Sequence, residues 1–351
     1  MDSTSPAVEI KIVRHQGMGR TPGSLRLQIT PPGMGSIMVF TALLFFAGLL
    51  LLYYGAEYLV SGSSSLALSY GVRPLVVGMT VVAFATSMPE LMVSLLAAIG
   101  GSSDIAGGNI IGSNIANIGL ILGTAALIAP LAVDSSMLKR EIPYLIGASL
   151  LLLFFSMDGV LGFGNGVVLF LLLLVFLGYC LFNARRDPLG GPAAADVVAR
   201  EKRGRKKDLF LILLGIVGLG VGAELMVRSA VTIARTFGIS ELVIGLTIVA
   251  MGTSLPELAA SMMSAWKGEM DLSIGNVIGS NIFNILFVLG VCPMIRPLAV
   301  DPSMLRFELP VMLVFTVALV PMILHRSTLG RGKGGLLVGG YGLFIAALVF
   351  R

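Results

Sequence analysis

Apolar residues run through this chain in long stretches broken by short polar gaps, and the longest gap lies between Asn183 and Lys207. A bilayer core needs about 20 apolar residues per helix. By that measure the pattern predicts ten spans, at 37–60, 74–98, 105–128, 141–157, 161–182, 209–234, 241–265, 271–293, 308–325 and 333–350. The expected fold is an all-α integral membrane protein of ten transmembrane helices. Residues 1–36 read as a polar N-terminal tail, with the first span rather than a cleavable leader acting as the insertion signal.

The spans repeat. An offset of 167 aligns Gly78–Gly123 with Gly245–Gly290 without a gap, and 24 of the 46 positions are identical. The same offset matches Gly55-Ala56-Glu57 to Gly222-Ala223-Glu224, and PLAVDSSMLKREIP to PLAVDPSMLRFELP. The chain therefore divides into a first five-helix repeat (37–182), a basic linker (183–208) and a second five-helix repeat (209–351). Five is odd, so the second repeat enters the membrane in the opposite direction. Inverted repeats place a substrate site near the midplane where they meet. Duplication for packing alone would retain small and apolar positions, whereas here identity extends to polar residues at membrane depth.

The repeated polar residues form an oxygen-rich set. Glu90 and Glu257 sit inside spans, where a carboxylate costs roughly 2.5–3.5 kcal/mol on insertion scales. Neither span holds a Lys or Arg as a fixed counter-ion, so a transported cation is the natural partner. Thr86 and Ser87 share a helical face with Glu90, as Thr253 and Ser254 do with Glu257. Pro89 and Pro256 lie beside each Glu as expected helix breakers, loosening the carbonyls of Ala85 and Gly252. The next span of each half offers Ser113 with Asn117 and Ser280 with Asn284, each pair four residues apart. Hydroxyls, carbonyls and carboxylates suit Na⁺ and Ca²⁺ rather than thiophilic metals. Gly108 with Gly112 and Gly275 with Gly279 are small-xxx-small pairs for close helix approach. Asn109, Asn114, Asn276 and Asn281 fit either interhelical bonding or ion contact. Asp104 and Asp271 read as N-caps, and Glu57 and Glu224 as access-path residues or partners of basic side chains.

Composition narrows the class further. Apolar residues make up 56% of 351 positions and charged residues 12%, with a mean hydropathy of +0.95, which places the chain in a bilayer. The pI of about 9.4 reflects topology rather than nucleic-acid binding, because basic residues fall between apolar runs. Eight Lys/Arg in the linker put it on the cytoplasmic side, with both termini outside, although four Lys/Arg in the tail oppose this. Cys180, Cys292, His15 and His325 form no metal or disulfide pattern. No nucleophile and base pair suggests an enzyme.

ATSMPEL with GSNIANIG, and GTSLPEL with GSNIFNIL, closely resemble the two alpha repeats of the cation/calcium exchanger superfamily, particularly its prokaryotic sodium/calcium exchangers. The resemblance runs from about residue 37 onward. It implies ten helices in inverted halves, a central diamond of ligands, and a first-and-sixth-span pair that slides to alternate access. It further implies that Glu90 and Glu257 bind the divalent ion and Na⁺, with oxygens from Thr86, Ser87, Thr253, Ser254, Ser113 and Ser280. The carbonyls of Ala83 and Ala250 are added by the same comparison. Asn117 and Asn284 stand where some relatives carry Asp in the second repeat, which leaves two central carboxylates and disfavours K⁺ co-transport. The expected function is antiport of Ca²⁺ against Na⁺, with Ca²⁺/H⁺ exchange as the rival and a passive cation channel as a third reading. The partners are those ions and the bilayer of a prokaryotic inner or plasma membrane, with no cofactor, nucleic acid or obligate protein partner.

Overall fold

The computed structural model describes residues 10–14, 25–29, 34–186, 204–237, 250–325 and 327–350. Most of the basic linker and residues 241–249 of the seventh expected span lie outside these residues, as does much of the tail. Within the tail, β1 (Ile10–Arg14) and β2 (Leu25–Ile29) pair antiparallel.

Among the described residues, six helices are long and apolar enough to cross a membrane. These are α1 (Met34–Ser69), α4 (Ser103–Ile128), α7 (Phe163–Arg186), α8 (Arg205–Thr236), α11 (Met270–Ile295) and α12 (Met304–Leu324). A seventh crossing is a bent pair, α2 (Pro74–Thr86) and α3 (Met88–Gly100), which meet at 43°. The remaining expected spans correspond to α6 (Glu141–Ser156), to the short α9 (Ala250–Gly252) with α10 (Leu255–Trp266), and to α13 (Arg331–Val349). One further turn of helix, α5 (Ser135–Lys139), precedes α6. The 167-residue period survives in the elements: Met88 and Leu255 open equivalent helices, as do Ser103 and Met270.

Large apolar side chains face outward along these helices, among them Phe40, Phe46, Phe154, Phe210 and Leu343, while Ser, Thr, Asn and Glu side chains are buried. That inversion is what a hydrocarbon solvent selects.

The packing has two parts. One apolar cluster joins α4, α6, α7, α11, α12 and α13. A second, smaller one centres on α1 and α8, through Leu52, Leu59, Ile212 and Leu219. Helices α1 and α8 run antiparallel with backbones nearly touching. A Cβ on Gly215 would lie 2.6 Å from the Leu59 amide nitrogen, and one on Gly55 would lie 2.7 Å from that of Leu219. Gly48 against Gly222 continues the row, so the contact recurs every second turn. Of the small-residue pairs expected from sequence, Gly275 and Gly279 approach α2 in the same way, with added Cβ atoms 2.6 Å from the Leu75 carbonyl oxygen and from the Met79 Cα. Residues 241–249, at the repeat offset from the start of α2, lie outside the described residues.

Two short antiparallel clasps tie the halves together. β3 (Leu131–Ala132) pairs with β6 (Thr328–Leu329), and β4 (Val160–Leu161) pairs with β5 (Leu298–Ala299). At the β3 end of the molecule, Arg73 reaches Asp134 at 2.7 Å and Asp271 at 3.6 Å. Asp271 and Asp104 lie in the first turns of α11 and α4, not at their N-caps. Those positions belong to Glu269 and Ser102, because each cap lies two residues earlier than expected. A carboxylate there still interacts favourably with the helix dipole. Glu57 pairs with Lys267 at 3.4 Å, and Glu224 pairs with Arg228 one turn on.

The α1 and α8 contact predicts opposite signs for one substitution at two sites on α8. Gly215→Ala should lower thermal stability in detergent by about 1–3 kcal/mol through overpacking. Gly220→Ala, with nothing within 4 Å of the added carbon, should be neutral or stabilising by up to about 1 kcal/mol. Equal shifts in unfolding temperature would remove the close approach as the cause.

Candidate cation site

Each half breaks its helix at a serine. Ser87 (φ −83°, ψ 5°) separates α2 from α3, and Ser254 (φ −87°, ψ 5°) separates α9 from α10. Both occupy the sparsely allowed bridge region where many functional residues sit. The break therefore falls two residues before each proline. Pro89 and Pro256 lie in the first turn of the following helix, where a missing N–H leaves no bond unmade. The prolines start the second segment rather than disrupt a continuous one.

The carboxylates follow in the same first turns. Glu90 and Glu257 are both 0% exposed, and each meets a serine from the opposite half. Ser87 Oγ donates to Glu257 Oε1 at 3.2 Å, and Ser254 Oγ lies 3.2 Å from Glu90 Oε1. Ser254 Oγ also lies 3.2 Å from Ser113 Oγ, while Thr86 Oγ1 lies 3.4 Å from Ser280 Oγ. Thr86, Ser87, Glu90, Ser113, Thr253, Ser254, Glu257 and Ser280 thus converge in one buried cluster. The Ala83 carbonyl accepts from the Ser87 amide at 3.0 Å and from Thr86 Oγ1 at 3.4 Å. Ala250 opens α9.

Asn117 and Asn284 are buried on α4 and α11, and each begins a π-helical turn, Asn117–Leu122 and Asn284–Val288. Such turns often occur at functional sites. Asn117 Nδ2 donates to Asn281 Oδ1 at 3.1 Å. Asn109 and Asn276, ambiguous from sequence, bond across helices: Asn109 Nδ2 reaches Ser94 Oγ at 3.0 Å and Asn276 Nδ2 reaches Ser261 Oγ at 2.9 Å. Ser94 and Ser261 were not singled out by sequence reasoning, although they are identical at the 167-residue offset, which was the available signal.

Several buried oxygens here have no hydrogen-bond partner among the described residues: Glu90 Oε2, Glu257 Oε2, Asn114 Oδ1, Asn117 Oδ1 and Asn284 Oδ1. Orphaned acceptors, two of them on carboxylates, are costly in a dry interior. A hard cation answers them, since it is bound by carboxylate, amide, carbonyl and hydroxyl oxygens. An apolar cavity of about 240 Å³, lined by Ala85, Thr86, Pro89, Leu219 and Pro256 among others, lies beside the cluster against α8.

Residues 40–182 and 207–350 match the family described as sodium/calcium exchanger protein. The chain is 39% identical over 319 residues to inner membrane protein YrbG of Escherichia coli (strain K12), covering 89% of this chain and 97% of that protein. It is 43% identical over 302 residues to the putative antiporter CaxA of Alkalimonas amylolytica, covering 84% and 93%. The structure of the sodium-calcium exchanger NCX_Mj soaked with 2.5 mM Na⁺ and 0.1 mM Ca²⁺ superposes with a TM-score of 0.78 at 34% identity, over 88% of this chain and 99% of that one.

The orphaned carboxylate oxygens predict how stability responds to ions. Ca²⁺ at 100 times its dissociation constant should stabilise the wild-type protein by about 2.7 kcal/mol. Glu257→Gln should unfold in ion-free buffer no lower than wild type and lose the Ca²⁺ response. Thermal unfolding in detergent with and without Ca²⁺ reads both effects, and a Gln variant that keeps the full shift would exclude Glu257 from the site.

Proposed function

The chain belongs to the sodium/calcium exchanger protein family, and from that premise we propose that it is a secondary active antiporter exchanging Ca²⁺ for Na⁺ by alternating access. The observation that carries the proposal is the crossed carboxylate pair. Two glutamates with no exposed surface, each bonded to the other half's serine and each with a free oxygen, supply a charge of −2. One Ca²⁺ or more than one Na⁺ neutralises it.

The proposed ligands are Glu90, Glu257, Thr86, Ser87, Thr253, Ser254, Ser113, Ser280, Asn117 and Asn284, with the carbonyls of Ala83 and Ala250. Occupancy by the two ions is mutually exclusive because they use the same oxygens. Left empty, two carboxylates in a low-dielectric interior repel one another and lack solvation. Passage between inward-facing and outward-facing states is therefore open to the loaded protein and closed to the empty one, which couples the two fluxes. The α1 and α8 pair, held together by close glycine contacts, is the unit that moves in this reading.

In this reading the chain crosses the membrane ten times in two inverted five-helix repeats. Alternating crossings put the 129–140 and 325–330 loops on one side, and the 157–162 and 296–303 loops on the other. The two clasps join those same pairs. Arg73, Asp134 and Asp271 then share the side of the basic linker, which is cytoplasmic by its charge, with both termini outside.

Membrane vesicles loaded with Na⁺ should take up ⁴⁵Ca²⁺ down the Na⁺ gradient. Glu90→Gln and Glu257→Gln should each reduce that uptake to the background of empty vesicles. Uptake driven equally well by a pH gradient in the absence of Na⁺ would replace Na⁺ with H⁺ as the counter-ion. Uptake without any counter-ion gradient would identify a channel.

A further inference from the structure

Two amides beside the site make hydrogen bonds that run in only one direction. Asn109 Nδ2 lies 3.4 Å from the Glu90 carbonyl and 3.0 Å from Ser94 Oγ, and Ser94 Oγ donates onward to the Ala106 carbonyl at 3.3 Å. Carbonyls only accept. The Ser94 proton is therefore committed to Ala106, its lone pair accepts from Asn109, and the Asn109 amide cannot turn over without facing an acceptor with an acceptor. Its Oδ1 must point the other way, where Thr253 Oγ1 donates to it at 3.3 Å.

The other half repeats the arrangement. Asn276 Nδ2 lies 3.4 Å from the Glu257 carbonyl and 2.9 Å from Ser261 Oγ, and Asn276 Oδ1 accepts from Thr86 Oγ1 at 3.2 Å. Thr86 Oγ1 also lies 3.4 Å from the Ala83 carbonyl and from Ser280 Oγ and bonds the Glu257 carboxylate, so the Asn276 oxygen is the nearest of the uncharged groups around its proton. Each amide thus acts on a threonine of the opposite half.

We propose that Asn109 and Asn276 are positioning residues that set the polarity of the Thr253 and Thr86 hydroxyls, drawing each proton outward so that the oxygen lone pairs face the cation. A hydroxyl binds a cation only through its oxygen, and one whose proton pointed inward would repel it. With the proton anchored on a fixed amide oxygen, the lone pairs are oriented before the ion arrives, which spares the cost of turning the hydroxyl on binding. The inference rests on the reading of this cluster as a cation site. It assigns the asparagines no contact with the ion.

A mere bolt between helices would use the same hydrogen bonds, and a double-mutant cycle separates the two roles. Ca²⁺ and Na⁺ dissociation constants are measured by calorimetry on the purified full chain for wild type, Asn109→Leu, Thr253→Val and the double variant. Each single variant should weaken Ca²⁺ binding about tenfold, the order of one hydrogen bond's net worth. The double variant should bind no more weakly than Thr253→Val alone, because Asn109 then has no hydroxyl left to orient. A further tenfold loss in the double variant would make Asn109 a structural bolt and overturn the proposal. If Asn109→Leu does not yield folded protein, the cycle of Asn276→Ser with Thr86→Val applies the same criterion. A wild-type chain that binds neither ion would overturn the cation reading itself, a result distinct from additivity in a chain that binds.

Discussion

A carboxylate held out of water at membrane depth has to be answered by another charge, and the arrangement at the centre of this protein follows from having two with no fixed cation. Each glutamate bonds a serine hydroxyl from the opposite half and keeps a second oxygen without a hydrogen-bond partner among the described residues. The hydroxyls are too weak to neutralise the charge, and a lysine or arginine would neutralise it permanently. A cation site that fills and empties, as proposed for this cluster, needs charge left open. The helix breaks at Ser87 and Ser254 serve the same end, because they bring hydroxyl, backbone and carboxylate groups to one point where a continuous helix would spread them along its length.

The oxygen-bearing helices α4 and α11 lie in the large apolar cluster. The smaller cluster joins α1 and α8 to α2, α10 and α11 through Val77, Val82, Ala260, Met263 and Leu272, while contact between α1 and α8 themselves runs through glycines. The two membrane sides are also unlike. Arg73 ties Asp134 to Asp271 on one side, and position 240, its counterpart at the repeat offset, is a serine. The pseudo-symmetry of the centre does not extend to the surfaces.

Much of this was legible in the residues. The 167-residue offset singled out Glu90, Glu257 and the flanking hydroxyls because a buried acid conserved between two copies of one chain has few packing explanations. The lengths of the apolar runs located most spans to within a few residues. What escaped was tertiary. That Ser87 serves Glu257 rather than its own Glu90 depends on two segments meeting from opposite halves, which no local pattern encodes. The prolines suggested the right disruption at the wrong residue, since proline is as well suited to beginning a helix as to breaking one. Asn109 and Asn276 could have been ligands or bolts, and only their fixed carbonyl neighbours decide which way each amide faces.

The two clasps carry a consequence for how the protein is made. Leu131 pairs with Leu329 and Leu161 with Leu298, so each loop of the first half waits for a loop near the C-terminus. During synthesis the first five helices can enter the bilayer, but neither clasp forms until residues 298 and 329 have left the ribosome. Glu90 likewise has no Ser254 until the second half begins to emerge. Although the gene repeats itself, the polypeptide matures as one unit, and its final structure is assembled after insertion, when the last hairpin arrives.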